Sequence, residues 1–214
     1  MPTTRLYLVR HSETMANREY RYIGTRDDPL SSHGQTQAIQ LAEALSELPV
    51  AAVYSSPLRR TYDTALPIAA RHSLEVEQVD DLRECDFGTW EGLSRTEALE
   101  RSPEDSQRLR EWEQNTSVAP PGGESFEALQ QRVCIAVERL AQAHPDQAIV
   151  LVSHVGPIKV LLSAALGAPL SSAFRIFLDP ATISLVDWRD AAHAIVRLVN
   201  SHAHLGWRQA RWMR

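Results

Sequence analysis

A chain of 214 residues with 43% hydrophobic and 23% charged side chains is long enough for a sizeable buried core and ordinary for a globular protein. The formal net charge of -5 argues against a general nucleic-acid or membrane-surface binder, although a local group of cations can still hold a small anion. Two cysteines, Cys85 and Cys134, form no disulfide framework and no zinc spacing. No long apolar segment follows Met1, so neither a signal peptide nor a membrane span is read, and a cytoplasmic location is expected.

The first element is Leu6-Tyr7-Leu8-Val9, a short run of β-formers that stops at Arg10 and His11. Residues 17–33 read as a polar, arginine-rich loop containing Gly24 and Asp28-Pro29. Ser31-Ser32 before Gln35 predict a helix start, and Ile39, Ala42 and Leu45 predict its buried face, ending before Pro49. Ala51 to Tyr54 predict a second buried strand, which runs through Ser55-Ser56-Pro57-Leu58 into Arg59-Arg60 and a helix to about Ala70. Glu75 to Val79 predict a third strand. Residues 93–114 read as charged and helical with a break at Pro103, and Pro120-Pro121-Gly122-Gly123 as a loop. Phe126, Leu129, Val133, Val137 and Leu140 keep helical spacing and predict a core-facing helix. Residues 86–123 are expected to be an inserted flap over the carboxyl end of the sheet.

Ala148 to Val152 is the strongest buried strand signal and ends in Ser153-His154-Val155-Gly156-Pro157 before a helix to Leu166. Three strand-like runs follow, Phe174–Leu178, Ile183–Trp188 and Ala194–Val199, two of them expected to pair as a hairpin at a sheet edge. Residues 202–214 form a tail whose Trp207, Arg208, Arg211, Trp212 and Arg214 are candidates to fold over the mouth of a site. Lys159 is the single lysine, a bias from which no function is read. Strands alternating with helices predict an α/β fold: a mostly parallel central sheet flanked by helices, in three layers, as one domain over 1–214.

If the strands are parallel, Arg10-His11, Arg59-Arg60 and His154 share one mouth at the carboxyl end of the sheet, where ligands bind in open α/β sheets. Each alone is an ordinary solvated or core polar residue; together they call for a ligand. Two histidines with Glu84 could ligate zinc, but guanidinium groups around such a site repel a divalent cation and attract phosphate. Phosphoryl transfer needs its oxygens neutralised and an attacking atom in line. Arginines meet the first need. A neutral His11 nitrogen meets the second, and Glu84 is the candidate acid for the leaving oxygen and base for water. A plain salt bridge from Glu84 to Arg83 is the competing assignment.

These residues resemble a known family. Leu8-Val9-Arg10-His11-Ser12-Glu13-Thr14 closely resembles the signature of the histidine phosphatase superfamily, also called phosphoglycerate mutase-like. Ser56-Pro57-Leu58-Arg59-Arg60-Thr61 with Thr64-Ala65, then Leu82-Arg83-Glu84 through Phe87-Gly88 and Trp90-Glu91-Gly92, then Pro121-Gly122-Gly123-Glu124-Ser125, then Val152-Ser153-His154 continue it in family order, over roughly residues 5 to 200. The resemblance implies the phosphoglycerate mutase-like fold, His11 as the phosphorylated nucleophile and Glu84 as the proton donor. It places Arg10, Arg60 and His154 on the phosphoryl oxygens and Asn17 at a position that helps hold phosphate. No metal and no organic cofactor are implied. Ser12, Ile23 and Val155 stand where relatives commonly carry glycine, glutamine and glycine, so Ser12, Gly24 and Val155 are candidates for contact with the rest of the substrate.

The chain most resembles the short phosphatase branch that includes alpha-ribazole phosphatase, and lacks room for the longer insertions of classical phosphoglycerate mutases. Hydrolysis of a small phosphorylated metabolite is expected. A cofactor-dependent mutase and a catalytically inactive phosphate-binding module are the alternatives. Neither nucleic acid nor membrane is an expected partner, and the oligomeric state is left open with a homodimer as the candidate.

Overall fold

The computed structural model describes residues 2–206. Six strands form one sheet in the order β3-β2-β4-β1-β5-β6: β1 Thr4–Arg10, β2 Val50–Ser55, β3 Val76–Gln78, β4 Ala148–Ser153, β5 Ile183–Trp188 and β6 Ile195–Ser201. The pairs β1·β4, β2·β4 and β2·β3 are parallel, while β5 runs antiparallel to β1, and β6 to β5. The hairpin expected at a sheet edge is therefore β5–β6.

The central strands are buried on both faces, which is why they read as unbroken apolar runs rather than as alternating ones. Leu6 and Leu8 of β1 pack on one side with Leu129, Val133 and Val137 of α6 (Phe126–Ala143) and with Ile158 and Leu161 of α7 (Val155–Ala165). Tyr7 and Val9 pack on the other side with Leu41 and Leu45 of α2 (Ser32–Leu45) and with Ala65 and Ile68 of α3 (Arg59–Arg71). Two helical layers thus enclose the sheet.

Several expected elements differ. The loop expected at 17–33 holds part of a short helix, α1 (Met15–Arg18), because Thr14 and Asn17 close a reciprocal capping box. Ser31 caps α2 by accepting from Gly34 N, so that helix begins at Ser32. Ile39 is 61% exposed, whereas Ala38, Leu41, Ala42 and Leu45 carry the buried face. Phe174–Leu178 is not a strand: Leu170–Arg175 is 3₁₀-helical, and the Phe174 ring packs on Phe126 with centroids 4.9 Å apart. Phe174 thus faces an aromatic cluster, and Phe177 is 56% exposed, so the run has no strand neighbour among the described residues. Residues 86–123 contain α4 (Arg95–Glu100) and α5 (Pro103–Trp112), with Pro103 as the first residue of α5, where proline costs least. Among the described residues no helix is long and apolar enough to cross a membrane.

Candidate active site

The register Arg10↔Ser153 sets the carboxyl ends of β1 and β4 side by side, and Ser55↔Val152 brings the end of β2 beside them. Hydrogen bonding continues past the ends. His11 N donates to Ser153 O at 2.9 Å, and His11 O accepts from Ala181 N at 3.1 Å, so the residue is clamped from both sides. Its ring is 3% exposed. Nδ1 lies 2.7 Å from the Ser12 carbonyl oxygen. A carbonyl oxygen can only accept, so Nδ1 carries the proton and Nε2 keeps its lone pair. Burial, with Arg60 and Arg10 adding their charge, holds the imidazole well below the ordinary histidine value. His11 is thus neutral and in the tautomer that a nucleophilic Nε2 requires.

His154, fully buried, sits edge-on to His11 with ring centroids 5.2 Å apart. Its Nδ1 accepts from Arg60 Nε at 3.3 Å, so Nε2–H is the donor to Ser56 Oγ at 2.8 Å. Burial and then Arg60 lower its affinity for a second proton.

Backbone carbonyl oxygens hold both arginines. Arg10 Nη1 donates to Leu178 O at 2.5 Å. Arg60, 1% exposed, donates to the carbonyl oxygens of Arg26 at 2.6 Å and Gly24 at 2.9 Å. Among the described residues no carboxylate bonds Arg60, so its charge stays available in a desolvated site.

Glu84 is 6% exposed. Its Oε1 accepts from Cys85 N at 2.9 Å and from Gly156 N at 3.0 Å, the latter one of the first amides of α7. A Cβ on Gly156 would stand 2.2 Å from Glu84 Oε1, so only glycine lets the carboxyl approach this closely. Burial pushes the carboxyl above the ordinary glutamate value, against those two N–H groups, Arg60 and Arg10. Arg83 pairs with Asp80 at 2.6 Å, not with Glu84. The segment before Glu84 is fixed from α6. Arg132 donates to the carbonyl oxygens of Asp81 at 2.7 Å, Arg83 at 3.0 Å and Glu84 at 3.0 Å, and is itself held by Glu124 at 2.7 Å.

A cavity of about 220 Å³ opens between these groups. Of the residues singled out in the sequence, Arg10, His11, Asn17, Arg60, Glu84 and Val155 line it. Asn17 Oδ1 is engaged at 3.1 Å by Thr14 N in the α1 cap. His154 packs edge-on against His11 and is not among the lining residues. Neither are Ser12 and Gly24. Ser12 is fully buried with its N–H on Thr64 Oγ1 at 3.0 Å, and a Cβ on Gly24 would meet Cys85 O at 2.1 Å. Tyr22, Phe87, Trp112 and Phe126 form an aromatic wall, and Lys159 stands with them. Sequence reasoning missed Arg132 and Lys159, whose partners come from distant segments, and took Phe126 only as core. Residues 207–214, on which the expected contacts of the tail fall, lie outside the described residues. Among the described residues no group of three or more histidine, cysteine, aspartate or glutamate side chains is placed to hold a metal ion.

Residues 6–201 match the histidine phosphatase superfamily (branch 1). The chain belongs to that superfamily. It is 42% identical over 203 residues to the bifunctional protein Rv2228c of Mycobacterium tuberculosis, covering 94% of this chain and 55% of that protein. The chain therefore spans about half the length of that relative. It is 39% identical over 203 residues to phosphoserine phosphatase 1 of Hydrogenobacter thermophilus, covering 94% of each. Among solved structures, the alpha-ribazole phosphatase from Shigella flexneri superposes with a TM-score of 0.81 at 32% identity, over 92% of this chain and 96% of that one. The superfamily's six-stranded arrangement is thus the frame that brings these histidines, arginines and glutamate together.

Proposed function

We propose that this member of the superfamily is a metal-independent phosphomonoesterase that works through a phosphohistidine on His11. The carrying observation is the His11 ring itself: neutral, with Nδ1 committed to the Ser12 carbonyl, at a cavity that also holds two arginines and a protonatable glutamate. Nε2 attacks phosphorus while the bond from phosphorus to the alcohol oxygen breaks. The proton of the Glu84 carboxyl passes to that oxygen. Glu84, now a carboxylate, takes a proton from water as the water oxygen attacks phosphorus and the Nε2–phosphorus bond breaks, releasing inorganic phosphate. Arg10 and Arg60 neutralise the phosphoryl oxygens throughout. His154 lends its neutral ring and, by exchanging its Ser56 bond, an N–H to a phosphoryl oxygen. Asn17 helps seat the phosphate, Val155 borders the alcohol half, and residues 86–123 cover the mouth through Phe87 and Trp112. Relatives named as phosphatases support this reading.

Incubation with 3-phosphoglycerate and 2,3-bisphosphoglycerate tests it. Free phosphate with an acid-labile phosphoenzyme is expected. Isomerisation to 2-phosphoglycerate would identify a mutase instead, and absence of any phosphoenzyme with good phosphomonoesters would leave a phosphate-binding module.

A further inference from the structure

Lys159 is the one lysine of the chain, and it lines the reaction cavity. It lies on the same face of α7 as Val155 and Gly156, which also line the cavity, since residues three and four apart are neighbours on a helix. Gly156 holds the Glu84 carboxyl. Lys159 therefore stands about 4.5 Å along the helix axis from Gly156, the residue that holds the proposed acid of the leaving oxygen. Arg10 and Glu84 are the charged groups near it.

Nothing there neutralises it. Among the described residues no carboxylate pairs with the Lys159 ammonium. Glu84 is the nearby acid, and in its proton-donating form it carries no charge. The facing wall is Tyr22, Phe87, Trp112 and Phe126, and the other cation on that side, Arg21, is paired with Glu19 at 2.7 Å and Glu97 at 2.8 Å. Burial, with Arg10 adding its charge, pushes the ammonium down to about 8. A half-buried cation without an anion, facing an apolar wall in a cavity of about 220 Å³, is incomplete until a ligand supplies the charge. One ammonium matches the single charge of a carboxylate; a second phosphoryl group would bring more charge than the wall can balance. A neutral sugar would instead need several hydrogen-bonding side chains where the wall presents ring faces.

Resting on the phosphomonoesterase reading, we propose that Lys159 binds a carboxylate on the alcohol half of the substrate, making the preferred substrates phosphate esters of small hydroxy acids.

Matched pairs test this. O-phosphoserine and O-phosphoethanolamine differ by a carboxylate, as 3-phosphoglycerate and glycerol 3-phosphate differ by a carboxylate in place of a hydroxymethyl group. The wild-type protein is expected to favour the acid of each pair by about 10- to 100-fold in kcat/KM, the range of one hydrogen bond to a charged group. In Lys159→Met that ratio should fall toward one, chiefly through KM for the acid, and Lys159→Arg should restore most of it. A wild-type ratio near one overturns the proposal, as does a ratio that survives in Lys159→Met. Equal losses for both members of a pair also overturn it, because they mark a structural role. p-Nitrophenyl phosphate separates the two levels: its His11-dependent hydrolysis leaves the phosphomonoesterase reading standing when the carboxylate preference fails. No phosphate release from any ester removes both.

Discussion

The two ends of the sheet carry similar residues and differ in what their arginines meet. At the amino end lies the larger hollow, about 910 Å³, with Arg5 and Arg197 at its wall. Both are about half exposed and both close on Asp187, Arg5 at 2.8 Å. The guanidinium of Arg5, then that of Arg197, holds the Asp187 carboxyl below its usual range. At the carboxyl end the cavity is smaller, and Arg60 is buried against carbonyl oxygens and an imidazole. Arg5 and Arg197 are thus both held by a carboxylate. Arg60 is desolvated and, among the described residues, bonds no carboxylate, so its field acts on whatever enters. Volume is therefore a poor guide here; uncompensated charge at low exposure is the better one.

The largest expected effect comes from emptying the carboxyl-end site of its nucleophile. His11→Ala should lower turnover by at least about 10⁴-fold and abolish the acid-labile phosphoenzyme. Near-normal turnover would place the chemistry elsewhere.

Glu84→Gln should slow the first release of alcohol from an alkyl phosphate by about 10²–10⁴-fold, the usual worth of a general acid. Release of nitrophenolate, which leaves as a stable anion, should slow far less. Pre-steady-state bursts read this step apart from phosphoenzyme hydrolysis. Equal slowing would mean that Glu84 only orients phosphate. The pH profile follows from the same two groups. His11 works deprotonated, so its lowered value extends activity toward acid. Glu84 starts protonated, so its raised value extends activity toward alkali. The alkaline limb of kcat/KM should be present with alkyl phosphates and weak with p-nitrophenyl phosphate, the limbs belonging to the coupled site.

Arg60→Ala should cost about 10²–10³-fold in kcat/KM, on the scale of one lost electrostatic stabiliser. It should also lower the melting temperature, because the Arg26 and Gly24 carbonyl oxygens lose their donor. Unchanged phosphate inhibition in this variant would remove Arg60 from the site.

Arg132→Met releases the backbone of residues 81–84 without touching the cavity wall. A slightly displaced Glu84 should cost about 10–10²-fold with alkyl phosphates and less with p-nitrophenyl phosphate. An equal loss with both would indicate general loosening of the fold.

The smallest effect belongs to the amino end. Asp187→Asn should leave kcat/KM within about 3-fold, because its partners Arg5 and Arg197 lie at the amino end of the sheet and not in the reaction cavity. A large loss of activity there would break the contrast between the two ends.

Much of this was legible in the sequence because it is local. Three of the parallel strands, their order of appearance, and polar residues at their ends follow from short apolar runs that stop at Arg10, Ser55 and Ser153. The resemblance to the superfamily rested on contiguous blocks, and the match over residues 6–201 bears it out. Local pattern also misled: Phe174–Leu178 has a strand's composition, but Phe174 packs on Trp112 and Phe126 in an aromatic cluster.

By itself the sequence determined that Arg10, His11, Arg60 and His154 follow the ends of apolar strands, which parallel strand direction brings to one end of the sheet. Only the tertiary structure decided their chemical state. The His11 proton is placed by the Ser12 carbonyl, and the buried surroundings keep the ring neutral. The Glu84 carboxyl is set by a glycine 72 residues away and by an arginine 48 residues away. The hollow at the amino end is silenced by an aspartate that pairs with Arg5 across a separation of 182 residues. Protonation and charge compensation depend on distance in space and on exposure to water, and neither is written in the spacing of residues along a chain.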